Sequence, residues 1–486
     1  MLRSAPKPVQ IKTVSLCLIV CLAGCMTDSN SVLHKPAAAK ISLPELALVE
    51  RPALEAQSLD DDFHMSIFAR AVKDAVLDLP ALTEQRARLR NSSVRRDIVA
   101  TDLRPKLTSS LSANQDLLNE NGMTSTNARL TLRQLLFDGS ATRNRIAIAE
   151  VNETQARFEM LSLASSLSNT VAMLGLEIWR QNQLVTLAQE NLDAHQSFLN
   201  QTEERVESGV IPESDLFSAR SRLADAQSRI VRARSAASGA RASYAAFVGK
   251  SPPPIKLPIS PGSIPQEVAR ERIASSSQMQ ELRLRLLVAE RRRDVVLAER
   301  YPGVFVEMSG VRSGLMSDNA DSRVLAGLSV DQSVFSGGAQ RAREIEAQSD
   351  IEVVRRSIEQ AERQLLSQLE TALTARQSAI LEAKAAADSI RFNAAALSAV
   401  QEQFAIGRSG ITDILDAQRD LTDAKISQLS ITSNQIAAEL NILELTGDLA
   451  KEFGIELSKP LARPEVASAA SPLGISQQGA GRDESR

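Results

Sequence analysis

The sequence of 486 residues contains few aromatic residues. Only 3% of its residues are Phe, Trp or Tyr, with one Trp and two Tyr, and its 21 glycines are few for this length. Large globular cores are rich in aromatic side chains, whereas a chain rich in Ala, Leu, Arg, Glu, Gln and Ser favours helices. The composition therefore predicts long helices rather than a set of large globular domains.

The residues that usually carry catalysis or bind metals are also scarce. All three cysteines fall within the first 25 residues, and the three histidines lie far apart in sequence. Disulfides and cysteine-based metal sites are thereby excluded from the remaining chain. No nucleophilic Ser elbow, phosphate-binding Gly loop or zinc-protease motif occurs in the sequence. We therefore expect no enzyme activity, no catalytic residue, no metal and no cofactor other than a lipid described below.

The chain has no surplus of positive charge. Lys and Arg total 56, against 59 Asp and Glu. A protein that binds nucleic acid needs a basic surface to neutralise phosphates. We therefore expect no nucleic-acid partner.

The N-terminus has the pattern of an export signal. Basic residues precede an apolar stretch over 14–22, which is too short to cross a bilayer as a mature helix. The run Leu22-Ala23-Gly24-Cys25 resembles a bacterial lipobox, in which the Cys becomes the lipid-modified first residue. This predicts a lipoprotein signal peptide over 1–24 and lipidation of Cys25; the alternative is an ordinary signal with an unrelated Cys.

The residues after Cys25 predict an anchor in the outer membrane and a tether. Met26 stands where lipoproteins kept at the inner membrane often carry Asp, so the resemblance points to outer-membrane lipids. Acyl chains contribute roughly 0.8 kcal/mol per buried methylene, enough for several chains to hold a protein firmly. Residues 25–62 contain scattered prolines and no helical periodicity, and we expect an extended tether there.

The most informative feature is an internal repeat. Residues 63–250 and 266–452 form two similar units, joined by a Pro-rich linker over 251–265 and followed by a flexible tail over 453–486. Four landmarks recur at an offset of 198 residues: Phe137 and Phe335, Gly209 and Gly407, Asp215 and Asp413, Gly249 and Gly447. The chain is therefore interpreted as a tandem duplication.

Each unit contains a predicted β-hairpin. Apolar and polar residues alternate over about 106–117, 126–136, 303–313 and 322–334. Alternation over about 10 residues is typical of membrane-spanning strands with one apolar and one wet face. Two surface hairpins on a helical protein would show the same alternation. Four strands cannot close a barrel, so the membrane interpretation requires several chains.

Each unit continues with a predicted helical hairpin. The segments from Gly139 to Ser208 and from Gly338 to Gly407 contain 70 residues each and no Pro, which allows helices of roughly 100 Å. Apolar residues then recur every three or four positions after Asp215 and Asp413. We expect antiparallel coiled coils with tip turns at about 207–214 and 407–412.

This organisation resembles the TolC family of outer-membrane factors over residues 63–452. The most specific stretch runs from Phe404 to Gln418 and looks like the family's tip-turn signature. The resemblance implies a mainly α fold with a transmembrane β component, in which four strands per chain contribute to a trimeric 12-stranded β-barrel continuous with a long α-helical coiled-coil barrel. The implied function is a passive outer-membrane channel-tunnel of a tripartite export system, for multidrug efflux or type I protein secretion. The alternative is a structural coiled-coil lipoprotein that spans the periplasm without a pore.

The resemblance also implies partners and sites. The partners are two further copies of the chain, a periplasmic adaptor protein, an inner-membrane ABC or proton-driven transporter, and outer-membrane lipids. Asp413 and Asp416 would form acidic rings at the pore entrance, although Asp413 could also simply cap a helix. The implied tip residues that contact the adaptor are Gly209, Asp215, Gly407 and Gly410.

Four positions depart from the family pattern. Phe404 stands where the best-known member carries a Tyr, and Ser409 stands where it carries an Arg. Phe404 has no hydroxyl that could bond to Asp215, and a role for Arg408 in its place stays open. The first tip carries Ser218 and Pro212 at the positions of Asp416 and Gly410. The gate latch is therefore not predicted.

Overall fold

The computed structural model describes residues 66–115, 124–255, 264–314, 321–455 and 457. The predicted signal peptide, the lipidation site Cys25, the tether and nearly all of the predicted tail lie outside these described residues.

The described chain contains two successive sets of helices and strands. The first set is α1 (Ile67–Asp78), α2 (Pro80–Ala100), a short 3-10 turn (Thr101–Leu103), β1 (Lys106–Gln115), β2 (Thr124–Phe137), α3 (Ala141–Glu207) and α4 (Glu213–Val248). The second set is α5 (Gln266–Ala274), α6 (Ser277–Ala298), β3 (Gly303–Ser313), β4 (Asp321–Asp331), α7 (Ala339–Ala405), α8 (Ile411–Thr446) and α9 (Leu449–Glu452).

The two sets repeat one unit at the spacing seen in the sequence. Helices α3 and α7 each contain 67 residues, and α4 and α8 each contain 36 residues. The ends of α3 and α7 differ by 198 positions, as do the ends of α4 and α8. At 1.5 Å per residue the long helices extend about 100 Å. The predicted mainly α fold with a β component and two tandem repeats is confirmed.

The four strands form one antiparallel sheet in the order β1-β2-β3-β4. The predicted segment 322–334 is wrong at its end, because β4 stops at Asp331, whose partner is Gly303 at the start of β3. Pro302 precedes Gly303 and has no N–H with which to continue the ladder. Residues 116 and 117 of the first predicted segment lie outside the described residues.

The helices pack as a layer in which α3 and α7 run the full length. Next to the sheet the order is α2, α3, α6, α7, and towards the tip turns it is α4, α3, α8, α7. Helices α8 and α6 thus occupy one position, end to end, between the two long helices. Helices α4 and α2 share the corresponding position on the other side of α3.

Small side chains line the contact between α4 and α3. Ala219, Ala226 and Ala237 are buried on α4, with the aromatic ring of Tyr244 buried at the end of the same stripe. Small residues allow close packing of antiparallel helices. Phe247, one turn beyond Tyr244, is 41% exposed and lies outside this stripe.

A separate apolar core lies midway along the layer. Helices α1, α5 and α9 pack there against α3, α7 and α8. The rings of Phe68 and Phe453 are 6.3 Å apart, and Arg272 forms a buried ion pair of 2.6 Å with Asp448. The prediction of a flexible tail from residue 453 is wrong at its start, because Phe453 and Ile455 are buried in this core.

Candidate functional site: the sheet and the helical tips

One face of the sheet is apolar along all four strands. Neighbouring partners in the ladder, such as Leu132 with Met308 and Val306 with Leu328, point to the same side. The large apolar side chains of this face are exposed, with Leu111 at 76% and Val324 at 74%. An uncovered apolar face of this size requires a partner surface or lipid.

The opposite face is polar and charged. It carries serine and threonine side chains together with Arg129, Arg133, Glu307, Arg323 and Asp331. The Arg133 guanidinium contacts Asp331 at 3.0 Å and lies 3.9 Å from the centre of the Phe305 ring. These two charged residues occupy equivalent positions in the two repeats, 198 residues apart. The sheet therefore separates an apolar side from a wet, charged side.

Both edges of the sheet are open. Within the described residues β1 pairs only with β2, and β4 pairs only with β3. Each edge strand therefore presents a row of backbone donors and acceptors without a ladder partner among the described residues.

At the other end, the two helical hairpins turn through the same backbone motif. Gly209 and Gly407 adopt left-handed φ values of 70° and 76° just after the long helices end. The next amides, of Val210 and Arg408, donate to Arg205 and Gln403 carbonyls at 2.9 and 2.8 Å. This is the Schellman arrangement that a glycine permits at low cost. The predicted tip residues Gly209 and Gly407 therefore shape the turns.

Arg205 joins the two tips. Its Nη1 donates to the carbonyl oxygen of Phe404 at 2.8 Å, and its Nη2 donates to the Ala405 carbonyl at 3.3 Å. Its guanidinium carbon lies 4.2 Å from the centre of the Phe404 ring. A cation at the end of a helix satisfies carbonyls that lack intrahelical donors. The sequence reasoning missed Arg205, although a basic residue in the last turn of α3 was a usable signal.

The ring of Phe404 is buried in an apolar cluster at the helical tips. Its side chain is only 3% exposed and packs with Phe198 of α3 and with Ile411, Ile414 and Leu415 of α8. Arg408, which the sequence left open as a latch, is exposed and forms no ion pair within the described part of the chain.

Asp413 caps the N-terminus of α8. Its Oδ2 accepts from the backbone N–H of Gly410 at 3.0 Å and from the hydroxyl of Ser409 at 2.7 Å. The Ser409 hydroxyl and the Gly410 N–H hold the pKa of the Asp413 carboxyl below its usual range. The group therefore stays ionised, with Ser409 and Gly410 as its hydrogen-bond partners.

Asp215, the counterpart of Asp413, has no such cap. Pro212 occupies the position of Gly410 and has no N–H, and Ile211 replaces Ser409 and has no hydroxyl. Asp215 is half-buried in the first turn of α4 and forms no ion pair among the described side chains. Its carboxylate is therefore available to an outside partner.

Asp416 lies between two arginines. Its Oδ1 is 3.3 Å from Arg419 on the same helix and 3.9 Å from Arg222 on α4. These contacts offset its charge, so Asp413 contributes more net negative charge to the second tip than Asp416 does. The structure thus brings the predicted acidic pair to one tip but gives the two residues different surroundings.

No metal-binding cluster of His, Cys, Asp or Glu occurs in the described ranges of the chain. The buried His195 lies on α3 between helices α4 and α8, at the same end as the tips, and its ring is 6.3 Å from that of Phe198.

Comparison with known proteins gives a consistent result. A family model described as outer membrane efflux protein matches residues 71–250 and 268–448. The chain is 23% identical over 347 residues to the outer membrane efflux protein BepC of Brucella suis biovar 1 (strain 1330), covering 68% of this chain and 74% of BepC.

Solved structures show the same fold at low identity. CusC superposes with a TM-score of 0.71 at 14% identity, covering 78% of this chain and 91% of CusC. The CmeC outer membrane channel of Campylobacter jejuni superposes with a TM-score of 0.70 at 13% identity, covering 82% of this chain and 88% of CmeC. Since the family model covers most of both repeats, the chain belongs to the outer membrane efflux protein family, whose members are channels of the outer membrane and not enzymes.

Proposed function

We propose that this chain is one subunit of a passive channel-tunnel that conducts substrates across the outer membrane in a tripartite export system. The sheet is the observation that carries the proposal. It has an uncovered apolar face, a charged face and two open edges in one chain. Lipid tolerates such a sheet only when it closes on itself, because every backbone polar group must be paired there.

We propose that three copies close the sheet. Strands β1 and β4 run antiparallel, so β4 of one copy can pair with β1 of the next in the same antiparallel sense. Three chains give a 12-stranded barrel, with the apolar face towards lipid and the charged face towards water. The open sides of α4 and α7 would then meet between neighbouring copies and close the helical layer into a tunnel.

The tips would receive the periplasmic adaptor protein and the inner-membrane pump. Val210 and Ile406 at the tip turns are each 66% exposed, which suits a helical partner. Asp413 would place three ionised carboxylates at the entrance and favour cations. Lipidation of Cys25 would add a second attachment to the outer membrane.

We infer multidrug efflux rather than protein secretion as the pathway. The curated relative BepC is described as an efflux protein. The pump itself, whether an ABC or a proton-driven transporter, is best identified by co-purification with crosslinked adaptor.

Cysteine crosslinking tests the closed sheet. The sequence contains no cysteine after Cys25, so any disulfide formed between the strands must involve the introduced cysteines. Ser110→Cys on β1 is combined in turn with Arg323→Cys, Leu325→Cys or Gly327→Cys on β4, since all four positions lie on the polar face. We expect at least one pair to yield covalent trimers on non-reducing gels.

The matched control combines Ser110→Cys with Ser309→Cys. Ser309 also lies on the polar face, but its strand β3 is flanked by β2 and β4 of its own chain. We expect no linked oligomer from this control. A folded protein that gives no linked oligomer from any β1 and β4 pair would instead support the structural lipoprotein without a pore.

A further inference from the structure

A cavity of about 1160 Å³ interrupts the helical layer at the junction of α8 and α6. Helix α8 ends at Thr446 and α6 begins at Ser277, and both lie between α3 and α7. The space between these two helix ends, walled by α3 and α7, is called here the junction cavity.

The walls of the junction cavity are small and polar. Seven serines line it, namely Ser162, Ser165, Ser166, Ser276, Ser277, Ser367 and Ser378. Ser165 and Ser277 are only 4% and 5% exposed, and neither hydroxyl has a hydrogen-bond partner among the described residues. Neither hydroxyl oxygen is among the fully buried unpaired atoms of the described residues, so both oxygens reach the open space of the cavity. These two hydroxyls are therefore placed to bond to a molecule inside the cavity.

The charge of the cavity is negative. Three carboxylates line it, Glu281, Glu382 and Glu444, against one cation, Arg285. Arg285 contacts Glu281 at 2.5 Å, whereas Glu444 accepts from the neutral amide of Asn169. Glu382 is exposed to the cavity and forms no ion pair in the described part of the chain. Two of the three negative charges thus lack a cationic partner.

Burial disfavours the ionised form of two of these carboxyls. It raises the pKa of the Glu281 and Glu444 carboxyls above the usual range. A bound cation would favour their ionised forms and offset this cost. Binding would therefore strengthen as the pH rises.

The cavity opens on the uncovered side of the layer. On α7, Ser367, Thr371 and Ser378 face the cavity, whereas Leu365, Leu369 and Leu373 face the apolar core of α1, α5 and α9. Helical periodicity places these two sets on opposite sides of α7. In the proposed tunnel, the side without the short helices is the inner wall.

We propose that the junction cavity binds a small hydrophilic organic cation with several N–H donors, of the linear polyamine type. The carboxylates supply the charge, and the hydroxyls together with the side-chain oxygens of Asn434 and Asn441 accept the hydrogen bonds. An anion would be repelled, and a neutral sugar would leave the carboxylates uncompensated. The proposed binding depends only on the cavity. A role of this site in the export of such cations rests on the proposed channel function.

Calorimetry with spermine tests the site on the purified full-length protein in detergent at low salt. We expect saturable binding with one site per chain. Glu382→Gln combined with Glu444→Gln should weaken the affinity at least about tenfold, since two uncompensated charges are lost. Ser378→Trp, which fills the cavity and keeps every charge, should abolish the binding.

Glu362→Gln is the matched control. Glu362 is exposed on α7 but lies on the opposite side of the helix from Glu382, twenty residues away. It removes one surface charge, so its affinity for spermine should equal that of the native protein. Circular dichroism melting shows whether each variant folds.

The outcomes separate the site from the channel. Absence of saturable binding to the native protein, or equal binding by all folded variants, overturns the site even when the protein conducts ions. If the protein binds spermine with the expected pattern but never conducts ions, the channel function is wrong and the binding site is supported.

Discussion

The side chain of Arg205 lies over the ring of Phe404 at 4.2 Å and donates to the Phe404 carbonyl at 2.8 Å. One residue of the first repeat thereby holds the end of the long helix of the second repeat. The contact is not reciprocal, because the position equivalent to Arg205 in the second repeat is Gln403. The two tips of one chain are thus tied together on one side only.

Loss of this contact should loosen the second tip. Arg205→Gln removes a stacked cation and two charge-assisted hydrogen bonds, together worth about 2 kcal/mol. We expect the amides of residues 406–410 to exchange hydrogen roughly 30-fold faster, measured by mass spectrometry. Arg220→Gln is the control, since the one side-chain contact of Arg220 among the described residues is with Glu203, at an exposed position of the first hairpin. Equal exchange in both variants would show that Arg205 does not secure the tip.

The two acidic residues of the second tip should differ in their effect on selectivity. Asp413→Asn removes a charge without an arginine partner but keeps an oxygen that can cap Gly410. Asp416→Asn removes a charge already offset by Arg419 and Arg222. We expect the cation preference, measured from reversal potentials in a KCl gradient, to fall more in Asp413→Asn. A larger fall in Asp416→Asn would contradict the assignment of the ring to Asp413.

The hairpin around His195 should lose stability in acid. Burial, together with Arg222 and Arg229, lowers the pKa of the His195 imidazole below its usual value of about 6.5, and Asp225 opposes this only in part. The unfolded chain therefore binds a proton at a pH where the folded chain does not, so stability falls as the pH drops below about 6.5.

His195→Gln isolates this effect. The thermal unfolding midpoints of the native protein and the variant are measured at pH 7.5 and pH 5.5. We expect the midpoint of the native protein to fall more than that of the variant when the pH is lowered. Carboxylates titrate equally in both proteins and cancel in the difference. A difference that is independent of pH would show that His195 does not couple stability to pH.

The buried ion pair of the central core should be essential to stability. Arg272 and Asp448 are both only 5% exposed in their side chains and lie 2.6 Å apart. Asp448→Ala leaves the buried guanidinium without this carboxylate, which typically costs about 3 to 5 kcal/mol. Arg272→Met combined with Asp448→Leu should recover much of the lost midpoint in denaturant unfolding. A single variant as stable as the native protein would show that the pair contributes nothing.

Most of the fold follows from local patterns. The recurrence of Gly209 at Gly407 located the hairpin tips, because a left-handed turn favours glycine, and Asp413 marked the start of α8, because Asp caps helix N-termini. Two Pro-free stretches gave the long helices. These signals depend only on residues close together in sequence, so they can be recognised without knowing how the helices pack.

Features that depend on packing between distant segments were not predicted. Burial of Phe453 depends on Phe68, nearly 400 positions earlier in the chain, and the contact between the two tips depends on Arg205 meeting Phe404. The junction cavity arises only because two helix ends meet between two others. The end of β4 at Asp331 depends on Pro302 at the start of its partner strand.

Single-channel recording tests most directly whether the chain forms a trimeric channel. The full-length protein is purified from membranes in detergent and reconstituted into planar lipid bilayers, with mass photometry to count the chains in each particle. We expect trimers with a steady conductance that prefers cations. Folded, membrane-extracted protein that stays monomeric and shows no conductance would contradict it.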